Sequence, residues 1–320
     1  MKFVPLITTI LLSFHVVLAV AQSYPFKPVR IVVPFAPGAS SDGTARQIAD
    51  KLTQLWGQSF VIENRPGAYG TVGAAIVAKA DPDGYTLLLM PGTHVLTPRL
   101  MSSLPYHAIN DFTPISTLVF APYVITGAKN QTFSNLKEMA QNAKDNPEKF
   151  AIGNSEVTTR LAAEALSLAA NVKLTHVTYK GGGPITNDVL GGHLPLGVVT
   201  PLAVIGFHKD KRVNALAVTS PKRLSSMPDV PTVAEALGIA QFDSQTWFAL
   251  AGPANMPRPV VDRLQKAIAQ IMSDRDLRDR LISMGLIPAE DTSPEAMSSL
   301  MRTFSERNIP LIDAAKLKLE

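Results

Sequence analysis

The sequence predicts an α/β protein made of two lobes, each a mainly parallel sheet with helices on both faces. Short β-rich segments alternate with amphipathic segments along the chain, which is typical of parallel α/β layers. The β-rich segments are almost continuously apolar, as expected for strands that are buried on both faces. With 320 residues, the chain also exceeds what one hydrophobic core usually serves.

Seven short segments rich in β-branched residues are predicted as strands. They span residues 29–35, 60–63, 85–90, 150–152, 174–179, 196–199 and 213–219. Two amphipathic helices that cover a sheet are predicted over residues 42–55 and 134–144, because apolar residues recur there on one face. Three more helices are predicted over residues 260–272, 274–284 and 294–315, and we expect them to pack on the first lobe.

Two extended segments, residues 118–127 and 245–252, are apolar and rich in aromatic residues, so they are predicted to cross between the lobes. These crossovers predict a first lobe of residues 22–122 and 247–320, and a second lobe of residues 123–246. We expect the ligand cleft between the two lobes.

The N terminus has the pattern of a secretory signal peptide over residues 1–21. Lys2 precedes an apolar run over residues 3–20, and Ala19 and Ala21 form an A-x-A cleavage pattern. Cleavage is favoured over a membrane anchor because Pro5 and several polar residues interrupt the run. No later segment approaches the roughly 18 consecutive apolar residues of a spanning helix. The mature chain is therefore expected in the periplasm.

The composition argues against several functional classes. The chain has no cysteine, which excludes disulfides, thiolate nucleophiles and cysteine metal sites. Its net charge of +4 falls by one when Lys2 is removed, and its basic clusters are short, so no nucleic-acid groove is expected. The histidines lack metal-binding spacing, and no glycine-rich segment matches a nucleotide fingerprint. We therefore expect neither a metal nor a cofactor.

Three loops, residues 34–42, 65–73 and 153–159, each follow a predicted strand and lead into a helix. The start of a helix offers unpaired N–H groups and a positive dipole end, which suit an anion. Ser41 or Asp42 could instead merely cap the first helix. The anion site is favoured because ligands in such sheets bind beyond the carboxyl ends of strands. We expect residues 38–42 and 153–159 to share one cavity.

Residues 180–184 (KGGGP) resemble a phosphate-binding loop only superficially, since no Lys-Ser/Thr pair follows the glycines. A tight turn is expected there, although its N–H groups could still face the cleft.

An enzymatic alternative comes from residues 153–157 (GNSEV), which approximate the G-x-S-x-G nucleophile elbow with the last glycine replaced. Possible bases and orienting carboxylates follow at His176, His193, His208, Asp188, Asp210 and Asp229. A catalytic triad is defined by mutual geometry, which spacing alone does not supply. A secreted α/β hydrolase that uses Ser155 therefore stays open beside a binding protein that performs no chemistry.

A series of motifs resembles the receptor family of tripartite tricarboxylate transporters, the Bug-type periplasmic receptors. The resemblance covers essentially the whole mature chain. Its motifs are YPFKPVR (24–30), VPFAPG (33–38) with Asp42, ENRPGA (63–68), PDGYTLL (82–88), GTH (92–94), YKG (179–181), LGG (190–192), LAVTS (216–220) with Arg223, and PDVPTVAE (228–235).

This resemblance implies two Rossmann-like lobes of the type II periplasmic-binding-protein kind, which close on a ligand and deliver it to a two-subunit membrane permease. It also implies that loop N–H groups and ordered water hold a ligand carboxylate without a dedicated arginine. By position, the first carboxylate site comprises Gly38, Ala39, Ser40, Ser41 and Asp42, with Ala68, Tyr69, Gly70 and Thr71. The remaining candidate ligand-binding residues are Phe35, Thr93, His94, Asn154, Ser155, Glu156, Thr158, Thr159, Lys180, Gly181 and Thr200.

The chain departs from the family pattern at two places. Ala39 replaces a usual second glycine, and Asn154, Glu156 and Val157 stand where glycines and a serine are frequent. An ionised Glu156 would repel a second ligand carboxylate. The far end of the ligand is therefore neutral, polar or cationic, or else Glu156 points to solvent in the first helical turn, where the dipole favours it. Both hypotheses stay open.

The sequence thus predicts a monomeric extracytoplasmic receptor that closes on a small carboxylate-containing molecule and delivers it to a tripartite tricarboxylate-type transporter. A receptor that presents its ligand to a sensor protein is a further alternative.

Overall fold

The computed structural model describes residues 24–146 and 149–319, so the predicted signal peptide lies outside the described residues. The chain forms two mixed sheets, each covered by helices on both faces. Within the described ranges, no helix combines the length and apolarity that crossing a membrane requires. The two-lobed α/β fold predicted from the alternating pattern is confirmed.

The first sheet has six strands in the order β11-β4-β10-β3-β1-β2. Strands β1, β2 and β3 are mutually parallel, and β10 runs antiparallel to both β3 and β4. The strand bounds are β1 Val29–Val33, β2 Phe60–Asn64, β3 Thr86–Pro91, β4 Phe112–Ala121, β10 Thr246–Pro253 and β11 Ile287–Pro288.

The second sheet has five strands in the order β7-β6-β8-β5-β9. It repeats the plan of the first sheet: three parallel strands are followed by the antiparallel strand that has just crossed from the other lobe, here β5. The strand bounds are β5 Val124–Gly127, β6 Ala151–Asn154, β7 Thr175–Thr178, β8 Leu196–Val199 and β9 Asn214–Val218.

Eleven α-helices lie in the described ranges, most of them packed on one of the two sheets. Their bounds are α1 Ser40–Trp56, α2 Thr71–Ala78, α3 Thr97–Leu100, α4 Leu136–Asp145, α5 Val157–Ala170, α6 Gly182–Leu190, α7 Pro201–Lys209, α8 Val233–Leu237, α9 Arg258–Met272, α10 Arg275–Ser283 and α11 Pro294–Ala314.

Successive side chains of a strand point to opposite faces of the sheet, so the first lobe has two separate hydrophobic cores. Ile31 points to the face covered by α1 and α9, where Ile48 and Leu264 are fully buried. Val32 points to the opposite face, where it packs with residues of α2 and α11 such as Val77 and Phe304. Burial on both faces explains why a central strand such as β3 is apolar almost throughout.

Both predicted crossovers are confirmed. The chain leaves the first sheet at the end of β4 and enters the second sheet as β5 after Pro122 and Tyr123. It returns through residues 239–245 and joins the first sheet as β10. The topology supports the lobe boundaries expected from the sequence, and we propose residues 24–122 with 247–319 as the first lobe and residues 123–246 as the second.

The predicted element bounds differ from the structure in small ways. All seven predicted strands are present, with ends shifted by at most two residues. The helix predicted from Ser134 begins at Leu136, because Asn135 accepts the Glu138 amide as N-cap while Ser134 donates to the Glu138 carboxylate. The tight turn expected over residues 180–184 is wrong, since helix α6 begins at Gly182.

Candidate ligand-binding cleft

Two small adjoining cavities, here called the cleft cavities, lie where strand ends of the two lobes face each other. Their volumes are about 60 Å³ and about 50 Å³, and they share Phe35, Thr93 and Glu156 as lining residues. The lining comes from the segments after the carboxyl ends of β1, β3, β6 and β8, together with the crossovers. Ligands bind at such ends in open α/β sheets, so these cavities form the candidate site.

The N-terminus of α1 forms one wall of the first cavity. Ala39 is its N-cap and supplies no side-chain hydrogen bond, so the first-turn N–H groups have no cap. Ala39, Ser40 and Ser41 all line the cavity. An uncapped start of a 17-residue helix presents N–H groups and a positive dipole end to whatever occupies the cavity. Ala39 has an extended backbone (φ −70°, ψ 160°), so its methyl group requires no glycine.

Asp42 holds the loop before α1 and does not line either cavity. Its carboxylate accepts the Gly38 amide at 3.0 Å, Arg46 at 3.0 Å and the Asn64 side chain at 2.9 Å. Asn64 in turn donates to the Phe35 carbonyl at 3.1 Å. Burial opposes ionisation of the Asp42 carboxyl, but the bonds from Arg46, Gly38 and Asn64 outweigh it, so its pKa lies below the usual value.

The loop before α2 places Tyr69 on the second cavity. Ala68, Tyr69 and Gly70 have φ values of 43°, 56° and 94°, which turns the chain sharply into the helix. A Cβ on Gly73 would approach Pro34 Cβ and the Arg65 carbonyl to 3.0 and 3.1 Å, so this glycine lets α2 pack against the first loop.

The second lobe contributes the start of α5. Glu156 is its N-cap and lines both cavities, and Thr158 lines the first. Glu156 and Thr159 pair as in a capping box: the Thr159 hydroxyl accepts the Glu156 amide at 2.9 Å. In return, the Glu156 carboxylate faces the Thr159 amide. The side chain of Glu156 is exposed to the cleft, yet surrounding protein limits its hydration and raises its pKa.

The crossovers form the base of the first cavity. The Tyr123 hydroxyl donates to the Thr158 hydroxyl at 2.6 Å, which ties the first crossover to α5. Burial and the nearby Glu156 charge raise the pKa of Tyr123, so it stays protonated. Thr200, the N-cap of α7, makes no side-chain capping bond and faces the same cavity.

Thr93 and His94 are neighbours in sequence but have different environments. Thr93 lines both cavities, and its buried hydroxyl oxygen has no hydrogen-bond partner in the described part of the chain. His94 is buried away from the cavities, its Nε2 lies 2.8 Å from the Ala108 carbonyl and its ring stacks on Tyr106. Burial lowers the pKa of His94 to about 4, so it is neutral near pH 7.

The structure brings half of the predicted site residues to the cleft cavities. Those that line a cavity are Phe35, Ala39, Ser40, Ser41, Tyr69, Thr93, Ser155, Glu156, Thr158 and Thr200. Those that line neither cavity are Gly38, Asp42, Ala68, Gly70, Thr71, His94, Asn154, Thr159, Lys180 and Gly181. Most of the second group support the loops through backbone turns or hydrogen bonds, as Asp42, Thr71 and Thr159 do.

Sequence reasoning missed several lining residues. The first cavity also includes Pro91, Ala121, Tyr123, Thr246 and Phe248, and the second also includes Thr97, Leu100, Val157 and Leu319. A usable signal existed for the first set, because Ala121, Tyr123 and Phe248 lie in the predicted crossovers, and crossovers must pass under the cleft.

The hydrolase alternative receives no support from the surroundings of Ser155. Its amide donates to the Thr159 hydroxyl at 3.0 Å, and across the described residues no hydrogen bond joins its side chain to a histidine. His176 instead contacts Asn154 and Glu164, at 3.4 and 3.2 Å.

Larger grooves lie outside the cleft, and two of them are alternative candidate sites. One of about 720 Å³ runs beside α4 and α5 and is lined by residues such as Arg160 and Glu164. The other, here called the rear groove, has about 580 Å³ and is lined by Thr117, residues 221–226 and parts of α10 and α11. Neither is lined by the helix starts that follow the parallel strands of both lobes, so the smaller cleft cavities are the better candidate site.

Comparison with known proteins agrees with this architecture. The family model described as tripartite tricarboxylate transporter family receptor matches residues 44–317. The chain belongs to this receptor family. The resemblance inferred from the sequence motifs is thereby confirmed.

Three solved structures place this receptor among binding proteins of the same kind. Rpa4515 of R. palustris with adipate has a TM-score of 0.81 and 29% identity, covering 92% of this chain and 99% of that one. The periplasmic binding protein BugD has a TM-score of 0.78 and 32% identity, with 92% and 99% coverage. MatC from Rhodopseudomonas palustris with bound malate has a TM-score of 0.76 and 28% identity, with 90% and 100% coverage.

Proposed function

We propose that this protein is a periplasmic receptor that binds a small carboxylate-containing solute in the cleft cavities and hands it to the membrane subunits of a tripartite tricarboxylate transporter. The lobes close around the solute while the crossovers absorb the rotation. A solute drives closure only through tighter binding to the closed form. The receptor changes no covalent bond of the solute.

The observation that carries the proposal is the uncapped N-terminus of α1 beside the buried Thr93 hydroxyl. Within residues 24–146 and 149–319, neither of these hydrogen-bonding groups has a side-chain partner, and both border the first cavity. Buried polar groups are normally satisfied, so an occupant with acceptor oxygens fits here. A carboxylate matches the N–H groups and the positive dipole end together.

The solved relatives support a carboxylate as the bound group. Rpa4515 was solved with adipate and MatC with bound malate, and both ligands are small organic acids. The cavities of this chain are small, which fits a solute of that size. The signal-peptide pattern of residues 1–21 supports export, and the receptor family supports a transporter as the partner.

Carboxylate binding is tested by a thermal-shift screen of the mature protein against small organic acids. A solute present at about 100 times its Kd should stabilise the protein by about 2.7 kcal/mol. The Thr93→Val variant should fold normally, because its hydroxyl has no protein partner, but should lose at least tenfold in affinity. An absence of any stabilising organic acid would contradict the proposal.

A matched control is Thr117→Val. Thr117 is equally buried and its hydroxyl oxygen also lacks a partner, but it lines the rear groove. This variant should keep the affinity of the wild type. Equal losses in the two variants would show that the effect is not specific to the cleft.

Delivery to a transporter is tested by uptake. Cells should take up the identified solute only when this receptor and the permease subunits are both present, and the Thr93→Val variant should not restore uptake. Unchanged uptake without the receptor would contradict the transport step and favour ligand presentation to a sensor protein.

A further inference from the structure

Glu156 stands out among the residues that line the cleft cavities. Every other lining residue is apolar, a hydroxyl residue or a tyrosine, so Glu156 is the one charged residue among the described lining residues. A cleft suited to an organic anion therefore carries a negative charge of its own.

No cationic side chain offsets the charge of Glu156. Across residues 24–146 and 149–319, no ion pair engages its carboxylate, whose contact within the protein is the capping-box one with the Thr159 amide. The Tyr123 hydroxyl, which lines the same cavity, already donates to Thr158. The carboxylate therefore keeps its acceptor capacity for a group inside the cleft.

Glu156 and the α1 N-terminus belong to opposite lobes and border the same cavity. A solute whose carboxylate meets α1 therefore presents its far end to Glu156. An ammonium or hydroxyl group there would give the Glu156 carboxylate a donor, whereas a second carboxylate would meet a like charge at close range and with little water. The two kinds of solute should differ strongly in affinity.

We propose that Glu156 selects monocarboxylates that carry a hydrogen-bond donor, an ammonium or a hydroxyl group, at the end opposite the carboxylate, and that it discriminates against dicarboxylates. This inference rests on the proposed function and assigns the solute class of the same site. It distinguishes this chain from Rpa4515, solved with adipate, and from MatC, solved with bound malate, since both of those ligands are dicarboxylates.

Calorimetry with matched probes of four to six carbons tests the inference. The probes are the straight-chain dicarboxylates, the ω-amino acids and the ω-hydroxy acids of each length. For the length that binds best, the wild type should bind the amino or hydroxy acid at least tenfold more tightly than the dicarboxylate. Glu156→Gln should reduce this ratio to threefold or less, mainly by strengthening dicarboxylate binding.

Asp210→Asn is the charge-matched control. Asp210 is exposed at the C-terminal end of α7, whose opposite end carries Thr200 at the cleft. This variant removes the same charge from the same lobe and should keep the wild-type ratio. A similar change of ratio in both variants would assign the effect to net charge and overturn the proposal.

The remaining outcomes separate this inference from the proposed function. If carboxylates bind but Glu156→Gln leaves their relative affinities unchanged, or if the wild type prefers dicarboxylates, the role of Glu156 is wrong and the receptor function stands. If no carboxylate binds to either protein, both proposals fail.

Discussion

The hydroxyl of Tyr123 donates to the hydroxyl of Thr158 at 2.6 Å, and this bond joins the first crossover to the start of α5. Both residues are buried and line the first cavity. The bond fixes the second-lobe wall of the cleft relative to the first crossover. We expect it to couple the shape of the binding site to the position of the crossover.

We predict that Tyr123→Phe weakens both folding and ligand binding. The variant loses one hydrogen bond and leaves the Thr158 hydroxyl without its donor, which should cost about 1 kcal/mol of unfolding free energy. Urea denaturation and calorimetry measure the two effects. Tyr179→Phe is the control, since Tyr179 donates to Asp188 in the same lobe but lines neither cleft cavity, so it should leave affinity unchanged. Full affinity in Tyr123→Phe would contradict the coupling.

Thr219 links the two crossovers and supports a second prediction. Its hydroxyl accepts the Tyr123 amide at 2.8 Å, its own amide donates to the Tyr123 carbonyl at 2.9 Å, and its carbonyl accepts the Ser244 amide at 3.0 Å. Thr219→Val keeps the shape but leaves a buried amide unpaired, which should cost about 1–3 kcal/mol. Thr219→Ser should retain most of the stability. Equal unfolding midpoints for the two variants would refute the role of the hydroxyl.

Strands and crossovers could be predicted because burial on both faces demands continuous apolar runs. Val29, Ile31 and Val33 face one core and Val32 faces the other, so Arg30 is the one charged residue in this run. The loops of residues 38–42 and 153–159 could likewise be placed, because carboxyl ends of parallel strands meet at one edge. Residues from both loops do line the shared cavities.

The direction of individual side chains within those loops could not be predicted. Asp42 looked like a ligand contact, but its carboxylate turns to Gly38, Arg46 and Asn64, and Asn64 lies on another strand. Thr93 and His94 are adjacent, yet only Thr93 reaches the cleft. These choices depend on tertiary partners that sequence spacing does not reveal.

Asp42 supports a prediction about pH. Its pKa in the folded protein lies below the ordinary value for aspartate of about 3.9, so ionised Asp42 stabilises the fold. This contribution is complete above the ordinary pKa and is lost as the pH falls through the lower folded-state pKa. Asp42→Asn should therefore lower the unfolding free energy by about 1.5–3 kcal/mol near pH 7, because hydrogen bonds to a charged group are lost.

Melting temperatures of the wild type and of Asp42→Asn between pH 7 and pH 3 check this. The gap between them should narrow toward pH 3. Asp210→Asn, at an exposed carboxylate that has no hydrogen bond or ion pair among the described residues, serves as the comparison for the loss of a negative charge. A gap that is constant with pH would show that ionisation of Asp42 does not contribute.

Ionisation of Glu156 should destabilise the fold, in contrast to ionisation of Asp42. Its pKa is raised in the folded protein because burial among cleft residues disfavours the charged form. Because its pKa is raised, the contribution of the Glu156 carboxyl group to the unfolding free energy is fully present below the ordinary glutamate pKa of about 4.3. This contribution is lost as the pH rises through the folded-state pKa. Glu156→Gln should therefore melt at a higher temperature than the wild type near pH 7, without ligand.

That advantage should disappear at pH 4 and below, where the wild-type side chain is also neutral. The other titratable groups that line the cleft cavities are Tyr69 and Tyr123, and burial of Tyr123 with the nearby Glu156 charge raises its pKa away from this range. The difference in melting temperature between Glu156→Gln and the wild type, measured at a series of pH values from 4 to 8, therefore reports on Glu156. Equal melting temperatures across this range would mean that the carboxylate is well hydrated, and its charge would then be too well screened to select among solutes.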